Sequence, residues 1–275
     1  MAKEIATNQD RKREHRKEQL RNSLMPIIGI LVFLTIWEVA VITLDIKSYL
    51  LPAPTEIFQT MTDRYPTLIE HGIITAYEMI IGYILAIVIG VPLAIFITAS
   101  PTFDRFITPI LLFFQTVPKI AIAPLFLIWF GFGMAPKVWV AFLISFFPIV
   151  IDTAVGLRSI SPDMIDLARS MGATQRQIFI RFRIPTSLPY LFSGLKVAAT
   201  LAVVGAVVGE FVGADRGLGY LLLVANSNLQ TALVFATLVV LTMLGLVLFY
   251  IIEVLEHFLI PWHVSRRIGT EHATM

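Results

Sequence analysis

Six long apolar stretches restrict the fold of this 275-residue chain more than any other feature. They cover about Met25 to Leu44, Thr75 to Thr98, Ile107 to Phe130, Val138 to Leu157, Tyr190 to Val212 and Thr231 to Phe258. A helix of ~20 mostly apolar residues spans the hydrocarbon layer, and each stretch meets that length. Only 15% of the residues are Asp, Glu, Lys or Arg, against about 25% in soluble domains. The chain is therefore expected to be an all-α integral membrane protein with six transmembrane helices, the third interrupted by Pro109, Pro118 and Pro124.

Positive charge on the connections orients such a bundle. With the N-terminus in the cytoplasm, the inner segments hold fifteen Lys and Arg and the outer ones four, namely Lys47, Arg64, Lys137 and Arg216. That asymmetry predicts an N-in/C-in topology. It divides the chain into a basic cytoplasmic tail (1–24), a transmembrane domain (25–260) with an inner loop at 158–189, and a cytoplasmic C-terminal tail (261–275). The N-terminal tail carries seven basic residues between Lys3 and Arg21, and the apolar run behind it is too long for a signal-peptide core. It reads as an orienting segment, not a nucleic-acid arm. No cysteine is present, which excludes disulfides, thiolate metal sites and cysteine nucleophiles.

Two outer connections are distinctive. In "LLPAPTEIF", Pro52 and Pro54 impose extended backbone ahead of a short amphipathic turn. The segment "VGADRGLGYLLLVANSNLQT" is semi-polar and rich in glycine. It fits either a re-entrant or gating piece packed against protein or an ordinary outer loop with a short helix.

The inner loop is better punctuated than anything else in the chain. Ser161-Pro162 is a helix start, with Asp163 and Asp166 at the positive end of the dipole. Met164, Ile165, Leu167, Ala168 and Met171 recur at helical spacing, and Gly172 suits a left-handed C-terminal cap. Thr174 with Gln177 is a capping-box pattern opening a second helix. Ile178, Phe179 and Phe182 give that helix an apolar side and Arg176, Arg181 and Arg183 a basic one, and Pro185 is expected to stop it. A helix–glycine–helix hairpin at the inner face could rest on anionic lipid or dock a cytoplasmic partner.

The stretch "DLARSMGATQRQIFIRFRIP" resembles the loop that defines inner-membrane permeases of binding-protein-dependent ABC importers. That family's pattern is Glu-Ala-Ala, three residues, Gly, nine residues, Ile-x-Leu-Pro; here Asp166-Leu167-Ala168, Gly172 and Phe182-Arg183-Ile184-Pro185 keep the spacing. "TVPKIAIAPLFLIWFGFGMAPKVWV", "SLPYLFSGLKVA" and "GEFVGADRGLGYLL" resemble the nitrate, sulfonate, taurine and bicarbonate branch, within the MetI-like transmembrane fold. One departure is Glu78, where that branch is expected to carry a basic residue. The resemblance implies a bacterial inner-membrane permease subunit that forms the translocation pathway with a second copy or a paired permease. It also implies two cytoplasmic ATPase subunits that bind ATP and magnesium, and an extracytoplasmic solute-binding protein. Asp166, Leu167, Ala168, Met171, Gly172, Phe179 and Pro185 would form the coupling element, with Ala168 where a bulkier side chain obstructs docking. The implied cargo is a small anion or sulfonate such as nitrate, taurine or an alkanesulfonate; a thiamine pyrimidine precursor or riboflavin is the alternative.

Ionisable groups inside spans point to function by default. Glu210 is the leading candidate for the pathway, against a surface pairing with Arg216, and Ser145, Thr200 and Asn226 are weaker candidates. Lys119 fits an anion-attracting or a snorkelling role, while Glu38 fits anchoring, and Asp152 and Lys196 fit structural pairing. The chain lacks a Gly-x4-Gly-Lys-Ser/Thr phosphate loop, so ATP must be handled by another chain. It shows no metal-ligand spacing, catalytic triad or resident cofactor signature. A polytopic membrane enzyme, the rival class, would need acids or a Ser/His pair clustered at one depth.

Overall fold

A computed structural model describes residues 24–261, leaving the seven tail cations and Arg266 and Arg267 outside the described residues. Every regular element among these residues is helical. The helices are α1 (Leu24–Thr43), α2 (Pro54–Asp63), α3 (Tyr65–Ala99), α4 (Pro101–Thr116), α5 (Lys119–Phe130) and α6 (Met134–Arg158). They continue as α7 (Pro162–Ser170), α8 (Gln175–Ile178), α9 (Ile184–Gly213), α10 (Leu218–Ser227) and α11 (Thr231–Leu259). Five continuous helical stretches are long and apolar enough to cross a membrane, and the bent α4–α5 pair is the sixth candidate.

The described residues divide into two compact units, one of 24–65 with 225–236 and one of 66–224 with 237–261. In the first, α1 is apolar on nearly all faces and almost wholly exposed, as expected of a helix solvated by lipid. Glu38 anchors α2. Its carboxylate accepts from the Thr55 N–H at 3.1 Å and the Thr55 hydroxyl at 2.7 Å, satisfying an amide that the first turn behind Pro54 would leave open.

In the second unit α6 lies between α3 and α9, and small residues set the approach. Gly82, Ala86, Gly90 and Ala94 form a buried stripe along α3 at four-residue spacing. Gly194, Ala198, Ala202, Gly205 and Gly209 line the matching face of α9. Between helices already in lipid, close backbone contact takes over from hydrophobic burial as the source of stability. Ala141 of α6 is held from both sides: a Cβ on Gly82 would fall 2.6 Å from its Cβ, and one on Gly205 2.5 Å from its Cα. The Tyr83 hydroxyl donates to the Leu195 carbonyl at 2.9 Å and ties α3 to α9. Gly205→Ala is expected to destabilise the protein by about 1–3 kcal/mol, because the obstructing atom is backbone and cannot swing away. The thermal midpoint of detergent-purified protein reads this; Gly72→Ala, whose nearest neighbours stand 3.8 and 3.9 Å off, should leave it in place.

Three expectations need correction. The third apolar stretch is interrupted as expected, but at one of its three prolines only: α4 and α5 meet at 96° across Pro118. Pro118 both lacks an N–H and drives Val117 into extended backbone (φ −65°, ψ 131°), whereas Pro109 and Pro124 are carried inside helices. Pro185 does not stop the second hairpin helix. A π-helical turn at Phe179–Arg183 intervenes, in which the Ile184 N–H reaches back to the Phe179 carbonyl, and the chain runs on helically from Gln175 to Gly213. The wider turn re-registers the ladder just where proline withholds a donor. Lys137, expected on an outer connection, lies in the first turn of α6 and is only 5% exposed.

Candidate functional site

The inner-loop hairpin forms as its punctuation predicts. The Ser161 hydroxyl accepts from the Met164 N–H at 3.4 Å, with Pro162 opening α7. Gly172 adopts φ +81°, and the Gly172 and Ala173 amides return to the Arg169 and Ala168 carbonyls, so the orphan carbonyls of the helix end are met. Thr174 and Gln177 form a complete capping box over α8. Caps at three of the four hairpin ends make a stiff element from only thirteen residues of α-helix.

Its side chains divide by exposure. Ala168 and Ile178 turn inward and are buried, Phe179 is half-buried, and Leu167 and Met171 are 61% and 80% exposed. Asp166 stands 3.4 Å from Arg169 in an exposed pair. Gly172 has no atom within 4 Å of where a Cβ would stand. The hairpin thus exposes Leu167 and Met171, with Met164 at 53%, large apolar side chains that its own fold does not use.

The remaining candidates are scattered. Ser145 is fully buried on α6, and its hydroxyl lacks a hydrogen-bond partner. Thr200 bonds the Val197 carbonyl and borders an apolar groove of about 460 Å³ between α9 and α11. Asn226 is exposed on α10. Lys119 donates to the Gln115 carbonyl at 2.9 Å and lies over the Phe147 ring. Lys196 pairs with Glu256, and Asp152 packs against Gly194.

Glu210 belongs to a buried constellation that sequence reasoning leaves unassembled. Its carboxylate accepts from the Thr75 hydroxyl at 2.6 Å and from the Gly219 N–H at the start of α10. Thr75 Oγ1 in turn accepts the Leu218 N–H at 2.8 Å, and His71 Nδ1 accepts the Gly217 N–H at 2.9 Å. Three successive amides opening α10 are therefore received by side chains of α3 and α9. Beside them Lys137 Nζ lies 2.9 Å from Glu78 Oε1, both almost fully buried, and Glu78 and Glu210 are near enough to act on each other. Glu210 is thus enclosed with these partners and does not pair with Arg216. Through this helix start the segment after α9 is packed against protein. One signal is available in the sequence: His71, Thr75 and Glu78 recur at i, i+4 and i+7, the spacing of one helix face.

Lys137 answers Glu78, and the partial positive charge of the α10 N-terminus answers Glu210. Chemically the arrangement holds helices together; it offers no nucleophile, and no group of three or more His, Cys, Asp or Glu among the described residues could hold a metal.

The comparisons with known proteins agree on one family. A family model described as "Binding-protein-dependent transport system inner membrane component" matches residues 86–261. The formylaminopyrimidine transport permease ThiX of Halalkalibacterium halodurans is 38% identical over 87% of this chain and 96% of its own length. The putative aliphatic sulfonates permease SsuC of Bacillus subtilis is 29% identical over 85% of this chain and 86% of its own. Among solved structures, an inward-facing MetNI methionine ABC transporter aligns with a TM-score of 0.58, covering 72% of this chain and 97% of that one at 20% identity, which speaks to fold alone.

Proposed function

Because this chain belongs to the binding-protein-dependent inner-membrane permeases of ABC importers, a family of transport subunits and not of enzymes, we propose that the α7–α8 hairpin is its seat on a separate ATPase. Such a permease works with an ATPase and a binding protein. Here two copies of the chain form the pathway in a bacterial inner membrane, with both termini in the cytoplasm. The observation that carries this reading is the hairpin itself. It is stiffened by its own caps, presents Leu167 and Met171 unused, and leads without a break into α9. A rigid body seated in a partner's groove passes on displacement, where a floppy loop would absorb it. Closure of two ATPases would then draw two hairpins together and rock the helices above them. Purification through a tag on this chain, co-expressed with its cognate ATPase, is expected to recover the ATPase in equal amount. Transport by this chain reconstituted alone would overturn the reading.

For the cargo, the reading we carry is a small neutral heteroaromatic of the formylaminopyrimidine kind. The observation behind it is that ThiX, at 38% identity, is closer to this chain than the sulfonate permease is at 29%. The small-anion reading rests on the motifs shared with the sulfonate branch. Ligand binding to the cognate solute-binding protein, titrated with a formylaminopyrimidine and with taurine, separates the two.

A further inference from the structure

The constellation around Glu210 does more than fill a core. The connection from α9 to α10 is only four residues long, and Gly217 at its end holds φ +113°, a conformation other residues rarely adopt. A Cβ on Gly217 or on Gly219 would collide with the Glu210 carboxylate. Two glycines are thus placed where the chain must bring its backbone amides onto that carboxylate. The carboxylate lies three residues before the end of α9 at Gly213. The other end of the same continuous helical stretch is Gln175, in the hairpin. At 1.5 Å per residue the two lie roughly 50 Å apart along one rod.

We propose that Glu210 is a positioning residue for transport: its carboxylate latches the start of α10 to α3 and α9, and a shift of α9 delivered at its hairpin end withdraws the carboxylate and releases that start. The latch has three contacts, from Glu210, Thr75 and His71, and Thr75 joins two of them by donating to Glu210 while accepting from Leu218. His71 also stacks on Tyr220 of α10, ring centroids 6.0 Å apart. Lys137 supports the latch without touching α10. Its backbone carries Gly209 of α9 close in, since a Cβ there would lie 2.7 Å from Lys137 Cα, and its ammonium holds Glu78. With Glu78 answered, Glu210 is left for the amides of α10. The group works as a switch because a carboxylate drawn off those amides leaves both sides unsatisfied at once. Intermediate positions are therefore disfavoured, and the start of α10 is either held or released.

This inference rests on the permease reading only in assigning the motion to transport; the latch is tested without any cargo. The chain has no native cysteine, so single reporters can be introduced. Leu221→Cys places a thiol on the buried face of α10, and Thr153→Cys, close to isosteric, places one in the core of α6. N-ethylmaleimide labelling is followed on the detergent-purified complex with its ATPase. Adding Glu210→Ala should raise the labelling rate of the α10 thiol by about tenfold or more, the factor carried by a hydrogen bond to a charged group. Thr75→Val should raise it by about fivefold, as for a neutral hydrogen bond. The α6 thiol should stay silent in both. Unchanged labelling of the α10 thiol, or a parallel rise at both reporters, overturns the latch. Since the readout is local exposure, loss of the ATPase from the complex would count against the hairpin and not against Glu210.

Discussion

Replacing Lys137 with methionine is expected to destabilise the protein by about 3–5 kcal/mol, the range for breaking a buried ion pair from one side. The loss comes less from the attraction removed than from the charge left behind. Glu78 is 1% exposed, and neither of its oxygens has a hydrogen-bond partner of ordinary geometry; Lys137, 2.9 Å away, is the cation that answers it. Without the ammonium, two carboxylates, Glu78 and Glu210, face each other in a medium where charge is poorly screened. Methionine fills much of the lysine stem's space, so a cavity contributes little. The paired variant Glu78→Met/Lys137→Met separates the causes. Exchanging a whole buried pair for apolar side chains is often close to neutral, so the double variant should regain most of the loss. Denaturant or thermal unfolding of purified protein gives both numbers. A Lys137→Met protein as stable as its parent would mean that water reaches the pair.

Lys137 also marks where the sequence stops being readable on its own. Counting it with the outer connections follows from its place behind "GFGMAP", between two apolar runs. Its burial depends on Gly209, seventy-two residues later, which has no side chain to keep α9 off the first turn of α6. No local pattern encodes that. The spans, by contrast, follow from length and hydropathy, and the hairpin from caps that act within three residues of each other. Pro185 shows the middle case. Its missing donor is legible, but ending the helix is only one solution, and a π turn that withholds the same bond is another. Glu210 is legible as an expensive group in a greasy helix, whereas the amides that receive it come from the next helix and its relay from α3.

Gly172→Val should leave the permease folded while lowering recovery of the ATPase by about tenfold. The backbone there holds φ +81° with open space where a side chain would go, so valine meets no clash inside the chain. It meets strain: a β-branched residue resists the left-handed region by about 1–2 kcal/mol or more. That strain is relieved by changing the angle between α7 and α8, which moves Leu167 and Met171 off any surface built to receive them. The fold tolerates this because Leu167 and Met171, on the hairpin's outward face, are 61% and 80% exposed among the described residues. Asparagine tolerates the same backbone, so Gly172→Asn should keep the ATPase bound and show that conformation, not size, is at issue. Met171→Asp changes the face without the backbone; at 80% exposure it should leave the unfolding midpoint unchanged. Its charge would nonetheless be buried unpaired at a docked surface, where it costs several kcal/mol. Co-purification of the ATPase at parental yield with both Gly172→Val and Met171→Asp would place the contact elsewhere. The exposed apolar pair on the hairpin would then face lipid, the alternative that its basic flank from Arg176 to Arg183 also fits.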